Sequence, residues 1–76
     1  MKKKEQMVYG AIERIIKRRK EAHRVPHCAL RREIIDEIKD DISQYELSAV
    51  LTRLVADGML EYHPTVNDQS YYLKLK

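Results

Sequence analysis

Apolar positions recur at helical spacing in three stretches of the chain and alternate in two more. Over residues 5–22, Val8, Ala11, Ile12, Ile15, Ile16 and Arg19 fall on one side, and Glu13, Arg14, Lys17, Arg18 and Lys20 on the other, which predicts an amphipathic helix. Its one internal glycine, Gly10, costs up to about 1 kcal/mol against alanine, so it either serves a close helix contact or is merely tolerated. His23-Arg-Val-Pro-His27 breaks the pattern. Pro26 has no amide hydrogen and biases Val25 to an extended conformation, which predicts a very short strand around Val25. Leu30, Ile34, Ile35 and Ile38 then stripe a second helix over 29–39, whose solvated side carries Arg31, Arg32, Glu33, Asp36, Glu37 and Lys39. Asp40-Asp41-Ile42 reads as a turn, with Ile42 plugging the gap before the next helix.

The third helix, over 43–57, has the clearest punctuation. Ser43 can cap it by accepting from a free first-turn amide, and Glu46, three residues on, can reach back to complete a capping box. Leu47, Val50, Leu51, Leu54 and Val55 form its apolar stripe, and Gly58 suits the left-handed position just past its end. Residues 59–63 and 70–75 then alternate through Leu60 and Tyr62 and through Tyr71, Leu73 and Leu75, predicting a hairpin over 59–75. The connection from Pro64 to Gln69 lacks an Asn-Gly pair, so the hairpin loop is longer than two residues. Repeats, linkers and low-complexity segments are absent. The expected architecture is α+β: one domain over 1–76, with a flexible basic tail at 1–4 and a three-helix bundle carrying a C-terminal two-stranded wing. The expected core is Ile12, Ile15, Ile34, Ile35, Ile38, Leu47, Leu51, Leu54, Leu60 and Leu73.

With 76 residues the core is small and marginal alone, which makes a homodimer the expected state. A composition 43% hydrophobic and 36% charged is globular rather than disordered. Without Trp or Phe, the interior must be built from Ile, Leu, Val and Met, with the five tyrosines on its border. A net charge of +3 is compatible with a polyanionic partner. The single cysteine, Cys28, rules out an internal disulfide and suits a reducing compartment. No apolar run approaches the roughly 20 residues needed to cross a bilayer, and Lys2-Lys3-Lys4 leads into Glu5-Gln6 rather than a signal sequence. A cytoplasmic protein without membrane association is expected.

Catalytic chemistry has no foothold. The chain lacks a Gly-x-Ser-x-Gly elbow, a glycine-rich phosphate loop and a His-Glu-x-x-His pair, so neither an enzyme nor a cofactor is expected. His23, His27 and Cys28, with His63 further on, are metal-ligand types, but Pro26 keeps the two nearby histidines off one helix face and no Cys-x-x-Cys is present. Surface histidines, a packed Cys28 and no metal site follow.

With Leu47, Leu51 and Leu54 turned inward, the third helix presents Gln44, Tyr45, Ser48, Ala49, Thr52 and Arg53 outward. Gln, Ser, Thr and Arg can hydrogen-bond base edges or phosphates, and an alanine can touch a thymine methyl. This stripe, the Asp57-Gly58-Met59-Leu60 corner and the Tyr71-x-Leu73 return strand together resemble a winged helix-turn-helix domain over nearly the whole chain, similar to small bacterial, archaeal or phage regulators. The resemblance implies double-stranded DNA as partner and transcriptional regulation as role. The third helix would enter the major groove with those six residues as its reading set. Arg31, Arg32 and the wing's Lys74 and Lys76 would lie toward phosphates, and the loop from Thr65 to Gln69 would be a backbone contact. The basic run Lys2, Lys3, Lys4, Arg14, Lys17, Arg18, Arg19, Lys20 and Arg24 reads either as a phosphate-contacting arm and helix face or as a solvated surface. Two features oppose phosphate binding: the acids Asp36, Glu37, Asp40 and Asp41 just before the third helix, and a wing loop that carries Asp68 and no Lys or Arg. An interaction module that docks a protein instead of nucleic acid is the alternative. The acidic turn and the border tyrosines Tyr9, Tyr45, Tyr62, Tyr71 and Tyr72 suit it.

Overall fold

A computed structural model describes residues 2–74, with the side chain of Asp40 outside the description. Helix α1 spans Lys3–Glu21, strand β1 Ala29–Leu30, helix α2 Arg31–Ile38, helix α3 Gln44–Ala56, strand β2 Leu60–Pro64 and strand β3 Gln69–Leu73, with a 3-10 turn at Lys39–Asp41. The architecture is α+β, with three α-helices and a three-stranded antiparallel sheet ordered β1-β3-β2. Ala29 pairs with Tyr71 and Leu30 with Ser70, while Leu60 pairs with Leu73 and Pro64 with Gln69.

The helix ends follow from local chemistry. Helix α1 begins at Lys3 rather than at residue 5, because the Glu5 carboxylate accepts the Lys2 amide at 3.0 Å and the Gln6 amide donates to Lys2 O at 2.9 Å. Lys3 and Lys4 are therefore helical and do not belong to a tail; Met1 lies outside the described residues. At α3 the expected capping box is present, with Glu46 N–H donating to Ser43 Oγ at 3.1 Å. Its other end is a Schellman closure: Gly58 N–H donates to Val55 O and Met59 N–H to Leu54 O, with Gly58 at φ +77°. The end of α1 uses the same pattern, His23 N–H to Lys20 O and Arg24 N–H to Arg19 O, with His23 at φ +56° in the glycine-like position.

The first strand is displaced from its expected place. Val25 is 79% exposed and unpaired with the sheet, and β1 forms at Ala29–Leu30 instead. The chain turns at Pro26, whose carbonyl accepts from the Cys28 amide and the Arg19 guanidinium. Only beyond that turn can buried Cys28 and Ala29 settle against the body, so α2 starts at Arg31 and not at 29. Strand β3 ends at Leu73; Leu75 and Lys76 lie outside the described residues.

Helix α1 packs on both α2 and α3, and one core joins Val8, Ile12, Ile15, Ile34, Ile38, Leu47, Leu51, Leu54 and Leu60. Ile42 fills the gap before α3 as expected. Ile35 and Leu73 are only partly buried at the core's margin, whereas Tyr71, expected at the border, is 5% exposed. Its side chain projects from the same face of the sheet as Leu60 and Leu73, toward the helices, which buries it. Gly10 serves no close helix contact: an added Cβ would meet only the far end of Arg14, at 3.5 Å. Among the described residues no helix is long and apolar enough to cross a membrane.

Candidate nucleic-acid interface

Burial of Leu47, Leu51 and Leu54 fixes the rotation of α3 and turns its other side to solvent. Tyr45, Ser48, Ala49, Thr52 and Arg53, with Ala56, line one continuous open surface, and Gln44 is exposed at its N-terminal edge. Tyr45 is 86% exposed. Six of the nine expected site residues thus share one helix face.

The remaining three do not join them as a single basic stripe. Arg31, at the first turn of α2, is folded against α3: its Nη2 donates to Ser48 Oγ at 2.7 Å and to Gln44 O at 3.4 Å. Arg32 points outward and has its Nε 3.7 Å from a carboxylate oxygen of Asp68 in the hairpin loop. Lys74 follows β3 at the base of the hairpin, where its amide donates to Met59 O, at the opposite end from the loop. Lys76 is outside the described residues.

A cleft of about 300 Å³ runs beside the exposed face, between α3 and the hairpin. Arg31, Ser48 and Thr52 line it together with Tyr62, Gln69 and Tyr71. The Tyr62 and Tyr71 rings are tilted at 42° with centroids 5.4 Å apart, and the Tyr71 hydroxyl donates to Gln69. Burial pushes the Tyr71 phenol above its ordinary range, partly countered by the nearby Arg31 guanidinium. The sequence places Gln69 at the end of the hairpin loop and Tyr62 and Tyr71 among the border tyrosines of the interaction-module alternative, but does not group them with Arg31, Ser48 and Thr52.

The charges flanking α3 are distributed in a way the sequence leaves open. Glu37 accepts from Arg14 Nε at 2.9 Å and from Arg18, and Asp36 lines a second cleft with Arg18, Arg19 and Arg24. These two acids therefore face α1 and its cations, not the exposed side of α3. Hydrogen bonds from Arg18 and Arg14 hold the Glu37 carboxyl below its ordinary range. Asp41 is exposed in the 3-10 turn, and the side chain of Asp40 is outside the description. Glu46, in the first turn of α3, is paired with Lys4 of α1, which lowers its pKa.

The α1 basic run is not one phosphate-contacting face. Arg19 is buried, donating to Pro26 O at 3.1 Å and Glu33 Oε1 at 2.8 Å, and Arg14 and Arg18 are committed to Glu37. Arg19 sits on the apolar side in the sequence pattern, which is the signal of its burial. The hairpin loop is closed internally: Thr65 N–H and Oγ–H donate to Asp68 O, and Asp68 N–H donates to Thr65 Oγ, leaving Val66 98% exposed at the tip. Burial raises the pKa of the Cys28 thiol despite the neighbouring Arg19 cation. Among the described residues no group of three His, Cys, Asp or Glu side chains is placed to hold a metal ion.

Comparison with known proteins finds no matching family model, no similar curated protein and no similar solved structure, so the site must be read from its own geometry.

Proposed function

We propose that this chain is a winged helix-turn-helix protein that binds double-stranded DNA and regulates transcription, with α3 laid in the major groove. One observation carries the reading. Tyr45, Ser48, Ala49, Thr52 and Arg53 share an open, uncrowded helix face, and Asp36 and Glu37 are turned toward α1. A major groove about 12 Å wide admits one α-helix, and the N-terminal half of such a helix meets the base edges. Gln44, Tyr45 and Ser48 occupy that half. In this arrangement Arg53 and Arg32 serve phosphates, and Arg32 must part from Asp68 to do so. Lys74, at the base of the hairpin, takes no part in the reading face. The small core favours a homodimer, which would span two half-sites about one helical turn apart. Sedimentation velocity at high micromolar concentration tests that state, and a monomer there removes it.

The direct test is titration of the protein with mixed genomic and random duplexes at several salt concentrations. Salt-sensitive binding is expected, with the salt slope about one unit smaller for Arg53→Ala than for wild type. Absence of binding to any duplex at low ionic strength ends the DNA reading and leaves a protein-interaction module in its place.

A further inference from the structure

Arg31 reaches across from α2 to grip α3 at one residue of the reading face. Its Nη2 is 2.7 Å from Ser48 Oγ and 3.4 Å from Gln44 O. A guanidinium has donors and no acceptor, so Ser48 Oγ must accept. A helical serine commonly turns its own hydroxyl proton back to the carbonyl four residues earlier, which for Ser48 is that of Gln44. Here the guanidinium also reaches that carbonyl, and among the described residues the Ser48 hydroxyl donates no hydrogen bond. The proton is therefore left to point outward from an exposed position beside Tyr45, Ala49 and Thr52. A charged donor on the oxygen also polarises the O–H bond and strengthens it as a donor.

We infer that Arg31 biases Ser48 toward donation, because the guanidinium fills one of the hydroxyl's two acceptor sites and its charge opposes a second N–H donor at the same oxygen, and that the partner of Ser48 is an acceptor on a major-groove base edge. This rests on the DNA reading above and specifies it. An unconstrained serine serves either donors or acceptors and so discriminates poorly. A serine so biased donates to guanine N7 or O6, adenine N7 or thymine O4, and is poorly matched to the cytosine amino group. Arg31 is then a positioning residue that acts through Ser48 and is not itself a phosphate contact.

The experiment is selection of bound duplexes from a random-sequence pool, followed by sequencing, for wild type, Ser48→Ala, Ser48→Thr, Arg31→Ala and Arg31→Lys, each checked for folding by circular dichroism. Wild type should deplete cytosine about fivefold or more at one position of one strand. Ser48→Ala should abolish that depletion and leave preferences at other positions unchanged. Ser48→Thr, which keeps the hydroxyl, should retain it. Arg31→Ala should abolish the same depletion at an unchanged salt slope, because the hydroxyl, with no cation beside it, then accepts from cytosine as readily as it donates to other bases. Arg31→Lys should preserve it, since an ammonium group also only donates. Cytosine depletion that survives Ser48→Ala overturns the inference while leaving DNA binding intact. So does an Arg31→Ala variant weakened equally on all sequences, with a salt slope about one unit smaller, since that is the signature of a phosphate contact. Failure of wild type to bind any duplex overturns the DNA reading and this inference with it.

Discussion

The Arg19 guanidinium and the Glu33 carboxylate clamp the end of α1 to the start of α2. Arg19 Nη2 donates to Glu33 Oε1 at 2.8 Å, and the same oxygen accepts the Leu30 amide at 2.9 Å, so one carboxylate caps α2 and neutralises a buried cation. The Arg19 side chain is 9% exposed, and among the described residues its Nε has no partner, so it has little capacity to lose another. Breaking a buried pair by deleting one partner costs more than the pair contributes, because the survivor stays charged and desolvated. Glu33→Ala should therefore destabilise by about 3 kcal/mol, and Glu33→Gln by less because an amide oxygen can still cap. Thermal and urea unfolding measure both. A loss below about 1 kcal/mol would place Arg19 in contact with water or another acceptor.

Two helices end in the same closure with different residues in the left-handed position, Gly58 after α3 and His23 after α1. Gly58→Ala should cost about 1–2 kcal/mol, since a Cβ is strained at φ +77° even though nothing lies within 4 Å of it. His23→Gly should move stability the other way, by up to about 1 kcal/mol. Gly10→Ala is a third case. Its added Cβ would meet only Arg14 at ordinary contact distance, so a gain of about 0.5–1 kcal/mol is expected. Urea melts of the three variants check the signs.

Leu51 is 1% exposed in the middle of α3, and its removal leaves a cavity between α3 and the rest of the core. Leu51→Ala should cost about 2–5 kcal/mol in chemical denaturation. Less than about half a kcal/mol would mean that α3 is rotated from the phase described here, and the composition of its exposed face would change with it.

Glu37 links pH to stability. Arg18 and Arg14 hold its folded-state pKa below the value it has when unfolded. The stabilisation is therefore complete above the ordinary glutamate value of about 4.3 and is lost as pH falls through the lower folded-state value. The partners Arg14 and Arg18 are 59% and 62% exposed, which limits the effect to less than about 1 kcal/mol. In urea titrations Glu37→Gln should be less stable than wild type near neutrality, and the gap should close at an acid pH below the ordinary glutamate range. A gap that persists unchanged at that pH would separate the loss from the carboxylate's charge.

The sequence by itself determined the helices and the phase of their faces. Ser43, Glu46 and Gly58 act on backbone groups within a few residues of themselves, and the Leu47, Leu51 and Leu54 stripe needs only a helical period to point one way. Its complement, the exposed set Gln44, Tyr45, Ser48, Ala49, Thr52 and Arg53, was legible for the same reason. What tertiary structure decided is where charges and short strands find partners far along the chain. Val25 has the local bias of a strand, yet strand pairing needs a second chain segment, and β3 offers its edge to Ala29 and Leu30. Arg19 on the apolar side of α1 and Arg31 and Glu37 on the polar face of α2 carry no local sign of their partners. One is buried against Glu33, one holds Ser48 and one gathers Arg14 and Arg18, because α1, α2 and α3 meet at those residues. Helical periodicity is a local property of the backbone, whereas the worth of a charge depends on the solvent and opposite charge that only the packed chain brings near it.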